Sequence, residues 1–380
     1  MNLSFRFAVV SDLHIALPHT VWDHPSRFHL VEVSIPVLEA IFDHLESLNL
    51  DFLLLPGDLT QHGEPENHRW LANRLSQLPF PVYVVPGNHD VPSLLATEQT
   101  IGLADFPSYY HKFGYDNNPK HLYYACPLLP GVQLIGLNSN QFDSSGKQRG
   151  YLDQAQLSWL NRVLAEVKDQ LVLVMIHHNI VEHLPGQSRH PLGRRYMLEN
   201  ASTLVRMLQE ARVQLVFTGH LHVQDIAYRK GVYDITTGSL VSYPHPYRIL
   251  TCRTDHQGQY TLQIESPRVE SVPGWPTLLQ TSREWMGDRS APFMMRLLSH
   301  SPFNLPEAEA AALVPDLRYF WANIANGDAS FSFPHFPLKI RRHFENFNSG
   351  INSQHLNIGD NTTTLILKHR ALSNQLALDC

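Results

Sequence analysis

Short apolar runs, each followed by a polar cluster, recur through the first two-thirds of the chain. They are FAVV (7–10), DFLLLP (51–56), PVYVVP (81–86), VQLIGLN (132–138), QLVLVMI (170–176) and VQLVF (213–217). Their apolar residues are continuous rather than alternating, which favours strands that are covered on both faces.

Between these runs lie segments with helical periodicity, at 37–48, 152–167 and 200–211. In the first, Val37, Ile41 and Leu45 repeat at helical spacing, and Asp153 is placed to cap the second. Strands that alternate with helices predict an α/β layered fold. Three later segments, 232–240, 248–255 and 259–266, read as successive strands that complete a second sheet.

Prolines interrupt the pattern near residue 268, where we expect the core domain, 1–268, to end. Beyond it, residues 283–299 and 304–324 are expected to be helical, with Asn304 as the N-cap of the second helix. Residues 269–380 are therefore predicted to be a small, mainly helical C-terminal extension. It would either cap the active site or serve in assembly, for example as a homodimer contact.

The composition of the chain argues against some classes of partner and location. The 380 residues carry a formal net charge of −6, which argues against a stable nucleic-acid partner or an anionic membrane surface. No apolar run reaches the length of a membrane span, and the first residues, with Arg6 inside their apolar patch, do not resemble a signal peptide. The 3 cysteines are scattered and form no disulfide framework of the kind found in secreted proteins. A cytoplasmic location is therefore expected.

Polar residues that could bind metal follow five of the six predicted strands. These are Asp12 and His14; Asp58; Asn88, His89 and Asp90; His177 and His178; and His220 and His222. Ligands of α/β sheets bind beyond the carboxyl ends of strands, so the five groups are expected to converge. In TGHLH (218–222) the two imidazoles would share a face, and Gly219 would permit a turn. Taken alone, that stretch fits surface histidines equally well.

This order of motifs, D-x-H, GD, GNHD, H and GHxH, resembles the calcineurin-like metallophosphoesterase superfamily over the first 265 or so residues. The resemblance implies a four-layer α/β/β/α sandwich with two divalent metal ions at one edge. One ion would be held by Asp12, His14, Asp58 and His222, and the other by Asp58, Asn88, His177 and His220. His89 would face the substrate, while His178 is either a buried histidine or a substrate contact.

The mixture of carboxylate, imidazole and amide ligands suits manganese or iron, and also zinc, better than calcium or magnesium. Two such ions would lower the pKa of a bridging water and so supply hydroxide near neutral pH.

The motif after the second strand bears on the substrate. Protein serine/threonine phosphatases carry a second Asp and an Arg where GDLTQHG has Gln61 and His62. The motifs look closer to the bacterial cyclic-nucleotide phosphodiesterase-like, or class III, branch. The predicted function is a dinuclear-metal phosphodiesterase that acts on cyclic nucleotides or other small phosphodiesters through a metal-activated hydroxide.

Three alternatives stay open at this point: a broad phosphomonoesterase, a repair-type DNA nuclease and a non-catalytic scaffold. The nuclease would need a basic surface, for which Arg194 with Arg195, and Lys339 with Arg341 and Arg342, are the candidates. A scaffold is disfavoured because every ligand position is filled.

The long segment 92–124 is a candidate substrate wall. Its aromatic residues Tyr109, Tyr110 and Phe113 would either stack on the substrate or pack the segment onto the core. Asn138 and Asn140 are further candidates near the same edge.

Overall fold

The computed structural model describes residues 3–22, 27–116, 121–255, 259–349 and 358–367. The strands are Ser4–Val9 (β1), Phe52–Leu55 (β2), Val82–Val84 (β3), Tyr124–Leu129 (β4), Val132–Gly136 (β5), Asn140–Phe142 (β6), Gln148–Gly150 (β7), Leu171–Met175 (β8), Leu215–Thr218 (β9), Asp225–Arg229 (β10), Val232–Thr236 (β11), Arg248–Thr254 (β12), Tyr260–Glu265 (β13) and Thr363–Leu367 (β14). The helices are Ser34–Glu46 (α1), Pro65–Leu75 (α2), Phe106–Tyr109 (α3), Gln154–Glu166 (α4), Pro191–Arg194 (α5), Ala201–Glu210 (α6), Leu278–Ser299 (α7), Glu307–Leu317 (α8), Phe320–Ala325 (α9) and Leu338–Glu345 (α10).

The strands form two six-stranded sheets and a small hairpin, β6–β7. The first sheet has the order β14-β13-β12-β1-β2-β3, and the second has the order β10-β11-β9-β8-β5-β4. All six predicted runs contain strands. The expectation that the strands after His222 together complete the second sheet is wrong, because β12 and β13 join the first sheet, where β12 runs antiparallel to β1.

The main core lies between the two sheets. In β8, Leu173 and Met175 belong to the same buried cluster as β1 and β2, whereas Val172 and Val174 point the other way. Phe7 of β1 meets Phe217 of β9 edge to face, with ring centroids 5.6 Å apart. This alternation within continuous apolar runs confirms that both faces of the strands are covered.

Helices cover the outer faces. The apolar faces of α4 and α6 pack on the outward residues of the second sheet. Asp153 caps α4, as predicted, by accepting a hydrogen bond from the backbone amide of Gln156 at 2.7 Å. On the outer face of the first sheet, α1 and α2 contribute apolar residues to the cluster that includes the main core. They are also joined to each other by an ion pair between Arg74 and Glu39. The result is the expected α/β/β/α sandwich.

The C-terminal region is mainly helical, as predicted. Helices α7 to α10 enclose their own apolar cluster around Phe320 and Phe344, and this cluster also takes in Leu221 and Val223 on either side of His222. Asn304 does not cap α8, because Pro306 takes that position and Asn304 adopts a left-handed φ of 53°. Among the described helices, none combines the length and apolar character needed to cross a bilayer.

Candidate metal centre

The five polar motifs lie at the carboxyl ends of strands in both sheets. Three follow β1, β2 and β3 of the first sheet, and two follow β8 and β9 of the second. The sheets are joined there by hydrogen bonds between motifs. The backbone amide of His220 donates to the Asp12 carboxylate at 3.1 Å, and Nδ1 of His177 donates to the carbonyl oxygen of Pro56 at 2.9 Å. The sandwich therefore brings all seven predicted ligands to one place.

The backbone at these positions is unusual. Five of the predicted ligands have left-handed φ angles between 44° and 67°: Asp12, His14, Asp58, His220 and His222. Non-glycine residues rarely adopt this region, and they persist there when the surrounding structure requires it. The conformation turns each side chain away from the line of its strand and toward the shared centre.

Two glycines of the motifs, Gly219 and Gly87, are required because polar side chains of the site lie too close to them to leave room for a Cβ atom. A Cβ on Gly219 would lie 2.1 Å from the Ser11 hydroxyl and 2.4 Å from the Asp12 carboxylate. A Cβ on Gly87 would lie 2.2 Å from Oδ1 of Asp58. Gly219 therefore has a different role from the predicted one. It is not among the glycines with positive φ, and it makes room for a carboxylate rather than permitting a turn.

One cluster, which we call the amide cluster, is formed by Asp58, Asn88, His177 and His220. The hydrogen-bond acceptor atoms of these four side chains point toward one another. Nδ1 of His177 and Nε2 of His220 face the carbonyl oxygens of Pro56 and Arg195, so each carries the hydrogen there. The remaining nitrogens, Nε2 of His177 and Nδ1 of His220, face each other at 3.1 Å. Oδ1 of Asn88 and Oδ2 of Asp58 lie 3.0 Å and 3.3 Å from Nε2 of His177. Converging lone pairs of this kind fit a bound cation.

The second cluster, which we call the carboxylate cluster, contains Asp12, His14, Asp58 and His222, whose ligand atoms lie within 4.8 Å of one another. Nε2 of His222 lies 3.1 Å from Oδ1 of Asp12 and 3.3 Å from Nε2 of His14. Oδ2 of Asp58 is buried between the clusters, 3.8 Å from Nε2 of His14, and receives no hydrogen bond from the described residues. A buried carboxylate oxygen without a donor is costly, and a cation would satisfy it.

The pKa shifts agree with this charge arrangement. Burial would raise the pKa of Asp58, but His177 and His89 outweigh it and hold that pKa well below its usual value. Burial would lower the pKa of His177, but Asp58 outweighs it and raises the pKa to about 9. Burial lowers the pKa of His14 and of His220, so both imidazoles stay neutral with a free lone pair. The amide cluster thus favours a positive charge at its centre.

His89 stands over the carboxylate cluster. Its ring is 4.7 Å from that of His14 and perpendicular to it, and its backbone amide donates to Oδ1 of Asp58 at 2.8 Å. Its Nδ1 donates to the carbonyl oxygen of Gln61 at 2.7 Å, which leaves Nε2 for other partners. His89 does not pair with the neighbouring Asp90, whose carboxylate accepts from the amides of Gly87 and Thr60.

Comparison with known proteins now identifies the family. A family model described as calcineurin-like phosphoesterase matches residues 5–224, more than half of the chain. The chain belongs to the calcineurin-like phosphoesterase family. That family is hydrolytic and uses divalent metals, so the chain is a metal-dependent phosphoesterase, in agreement with the sequence prediction.

Named relatives of this phosphoesterase include several phosphodiesterases. A 3',5'-cyclic-nucleotide phosphodiesterase of Nostoc sp. is 26% identical over 235 residues, 61% of this chain and 77% of the relative. The 3',5'-cyclic adenosine monophosphate phosphodiesterase CpdA of Escherichia coli K12 is 26% identical over 251 residues, 64% and 74% of the two chains. A protein of Arcobacter nitrofigilis named as a probable glycerophosphodiester phosphodiesterase, GpdQ, is 25% identical over 68% of this chain and 85% of its own length.

A solved structure supports the fold of the phosphoesterase. A dimetal phosphatase of Danio rerio superposes with a TM-score of 0.50 at 15% identity, covering 70% of this chain and 96% of its own. At that identity the likeness extends to the fold alone.

Several candidate residues of the phosphoesterase turn out to be structural. His178 is buried, with Nδ1 2.8 Å from the Ser139 hydroxyl, and burial lowers its pKa to about 3. Tyr110 and Phe113 are buried, so they pack segment 92–124 onto the core rather than line the site. Tyr109 packs beside them against His68, at 5.5 Å. Residues 117–120 of this segment lie outside the described part.

The remaining candidates have other partners. Asn140 donates to the carbonyl oxygen of Pro86 at 2.8 Å, and this hydrogen bond holds the residue that directly precedes the GNHD loop. Lys339 donates to the carbonyl oxygen of Pro302, and Arg341 pairs with Glu345. Asn138 donates to the backbone of Asn140. Arg194 ends α5, and its neighbour Arg195 stacks on Tyr196 beside the site.

The sequence motifs missed one residue of the site. The ring of His29 lies 4.8 Å from that of His14 and 4.5 Å from that of His222. It comes from the connection between β1 and α1, outside all five motifs. Apart from the high histidine content, 23 in all, no sequence signal pointed to it.

Proposed function

We propose that this phosphoesterase is a dinuclear-metal phosphodiesterase that hydrolyses cyclic nucleotides or other small phosphodiesters. One ion binds at the carboxylate cluster, through Asp12, His14, Asp58 and His222. The other binds at the amide cluster, through Asp58, Asn88, His177 and His220. The observation that carries this proposal is Oδ2 of Asp58, a buried carboxylate oxygen without a hydrogen-bond donor among the described residues, between two groups of lone pairs.

The donor set favours particular metals. Nitrogen and oxygen ligands together suit manganese or iron, with zinc as a further candidate. When bound, two such ions supply Lewis acidity toward phosphoryl oxygens and lower the pKa of water.

His89 is proposed as the general acid for the leaving group. Because its Nδ1 hydrogen is held by the Gln61 carbonyl, proton exchange must take place at Nε2. The same hydrogen bond fixes the orientation of the ring, which also stacks on His62 at 5.3 Å. In its cationic form His89 can therefore protonate the departing oxygen without first rotating.

The choice of a phosphodiester rests on two supports. Two of the relatives are named for cyclic nucleotides, and another for a glycerophosphodiester. In addition, Gln61 and His62 replace the Asp and Arg with which protein phosphatases support the catalytic histidine and grip phosphate. A diester carries one negative charge where a monoester carries two, so it needs fewer basic side chains.

We further propose that the helical part of residues 269–380, helices α7 to α10, acts as a cap on the domain formed by residues 1–268, whereas β14 belongs to the first sheet. The apolar cluster of α7 to α10 includes Leu221 and Val223, which flank His222. The amide of Gln224 also donates to the carbonyl oxygen of Ala325 at 3.1 Å. Helices in this position would narrow access to small substrates. The cytoplasmic location and a homodimer stay predictions.

Hydrolysis assays on metal-reconstituted protein test the proposal. The panel would contain cyclic nucleotides, linear diesters such as glycerophosphodiesters, and phosphomonoesters, each with manganese, iron or zinc. We expect turnover of small diesters that disappears on chelation and returns with manganese. Preferential hydrolysis of monoesters, or activity that survives chelation, would contradict the proposal.

A further inference from the structure

His29 lies beside the carboxylate cluster. A ring nitrogen of His29 lies within 4.8 Å of a ring nitrogen of both His14 and His222. Its Nδ1 is 3.3 Å from the Ser242 hydroxyl, which leaves Nε2 for another partner. His29 is half-buried.

The backbone on both sides of His29 is fixed. Helix α7 of the C-terminal region donates two side-chain hydrogen bonds to it, from Nε1 of Trp285 to the carbonyl oxygen of Phe28 at 3.2 Å and from Nε of Arg289 to that of Arg27 at 2.7 Å. On the other side, the amide of Leu30 donates to the core at Val241, at 2.9 Å. The position of the His29 ring therefore depends on α7.

The ring geometry distinguishes two roles for His29. An imidazole nitrogen holds a cation in the plane of its own ring, where the lone pair lies. The rings of His29 and His14 are stacked, with planes only 12° apart and centroids separated by 4.8 Å. Two parallel rings this close are poorly arranged to direct their lone pairs at the same point, which favours a role for His29 other than that of a further metal ligand. A ring nitrogen of His29 lies within 4.8 Å of a ring nitrogen of His14 and of His222, so a phosphoryl oxygen of a substrate held at this cluster would be a suitable hydrogen-bond partner for His29.

We propose that His29 is a substrate-binding residue whose Nε2 donates a hydrogen bond to a phosphoryl oxygen, and that Trp285 and Arg289 position it. This inference rests on the proposed function, because the phosphoryl group must sit at the metal centre. It gives the C-terminal region a part in substrate binding as well as in restricting access.

Phosphate binding tests the role of His29 separately from turnover. Inorganic phosphate would be titrated calorimetrically into the manganese-loaded full-length protein, and the metal content would be measured alongside. We expect His29→Ala to keep the wild-type metal content but to bind phosphate about 10–100-fold more weakly, the usual effect of losing a hydrogen bond to a charged group. His29→Gln, which keeps an N–H donor, should recover part of the affinity.

Trp285→Phe tests the positioning role, because it removes the N–H donor and keeps an aromatic ring. We expect about 2–10-fold weaker phosphate binding, with no further loss when it is combined with His29→Ala. Gln280→Ala, at an exposed position on the same helix, is the matched control and should behave as wild type.

The outcomes separate the two proposals. A wild-type protein that binds no metal would contradict the proposed function itself. Loss of a metal ion from His29→Ala would show that His29 is a ligand, and unchanged phosphate affinity would show that it does not touch the phosphoryl group. Either result would overturn this inference alone. Additive losses in the double variant would overturn the positioning role of Trp285.

Discussion

The two clusters of the candidate metal centre share Asp58 but are built differently. In the amide cluster, backbone carbonyls fix the tautomers of His177 and His220, and the cluster holds a single carboxylate. The carboxylate cluster holds two carboxylates, but Nδ1 of His14 is buried without a partner among the described residues. One cluster is therefore organised by the backbone and the other by charge. A second negatively charged ligand attracts a cation more strongly than well-oriented neutral ligands do. The carboxylate cluster should therefore bind its ion more tightly than the amide cluster.

The largest effect on this comparison should come from Asp58→Ala. Because one carboxylate serves both clusters, we expect the variant to lose both ions and all measurable hydrolysis. Metal analysis of the dialysed protein, together with a diesterase assay, checks this outcome. Asp43→Ala, at an exposed position on α1, is the control. A variant that retained one tightly bound ion would mean that the clusters do not depend on a shared ligand.

A smaller effect, the loss of one ion, should distinguish the clusters from each other. Asp12→Ala removes a charged ligand from the carboxylate cluster, and Asn88→Ala removes a neutral one from the amide cluster. We expect Asp12→Ala to weaken its site by more than the roughly 10–100-fold that loss of an outer-shell partner costs, and Asn88→Ala to weaken its site less. Calorimetric titration with manganese measures both. Equal losses would show that charge does not set the difference.

His89→Ala should leave both clusters filled. We expect two ions per chain and turnover slower by about 10²–10⁴, the usual contribution of a positioned acid–base group. The loss should shrink for substrates with good leaving groups, such as nitrophenyl diesters, because these need no protonation. A uniform loss across leaving groups would instead assign His89 to charge stabilisation.

The smallest effect concerns stability around the amide cluster. Asp234 accepts the amides of Ile180 and Val181, just after His177, and His183 lies beside it. Burial would lower the pKa of His183, but Asp234 and Asp225 outweigh it and raise the pKa to about 10. Because the folded pKa lies above the unfolded value of about 6.5, this stabilisation is complete below pH 6.5 and is lost as the pH rises toward 10.

Urea unfolding at pH 7 and pH 10 measures this contribution. We expect the free energy of unfolding of the wild type to fall by roughly 1–3 kcal/mol more than that of His183→Gln over this range. His121→Gln, at an exposed position, should follow the wild type. If His183→Gln has the same pH dependence as the wild type, the ion pair does not contribute.

The sequence predicted the strands and the convergence of the motifs because both predictions rest on short stretches of the chain. Continuous apolar runs mark buried strands, and a polar residue directly after such a run must lie near the end of its strand. The division of the strands between two sheets was not predictable in the same way. Nothing within 248–255 distinguishes pairing with β1 from pairing with β11, since the choice depends on the packing of the whole sandwich.

The same limit applies to the site residue that the motifs missed, His29, and to two residues whose roles were predicted wrongly or left open, Asn304 and Tyr110. His29 reaches the centre through contacts of its neighbours with Trp285 and Arg289, which lie far away along the chain. Tyr110 was a candidate for substrate stacking because aromatic residues suit both roles, and burial is decided by the fold. Asn304 has a good capping side chain, but α8 begins after Pro306, later than that prediction allows.

Strand β14 has a consequence for shortened forms of the protein. It pairs with β13 through residues Tyr260 to Ile264 and thereby covers the outer hydrogen-bonding groups of β13. A chain that ended at residue 268 would expose the amides and carbonyls of β13 to solvent as an unpaired strand. Exposed strands of this kind recruit strands from other molecules. Self-association of such a fragment would therefore report intermolecular strand pairing rather than the assembly state of the 380-residue chain.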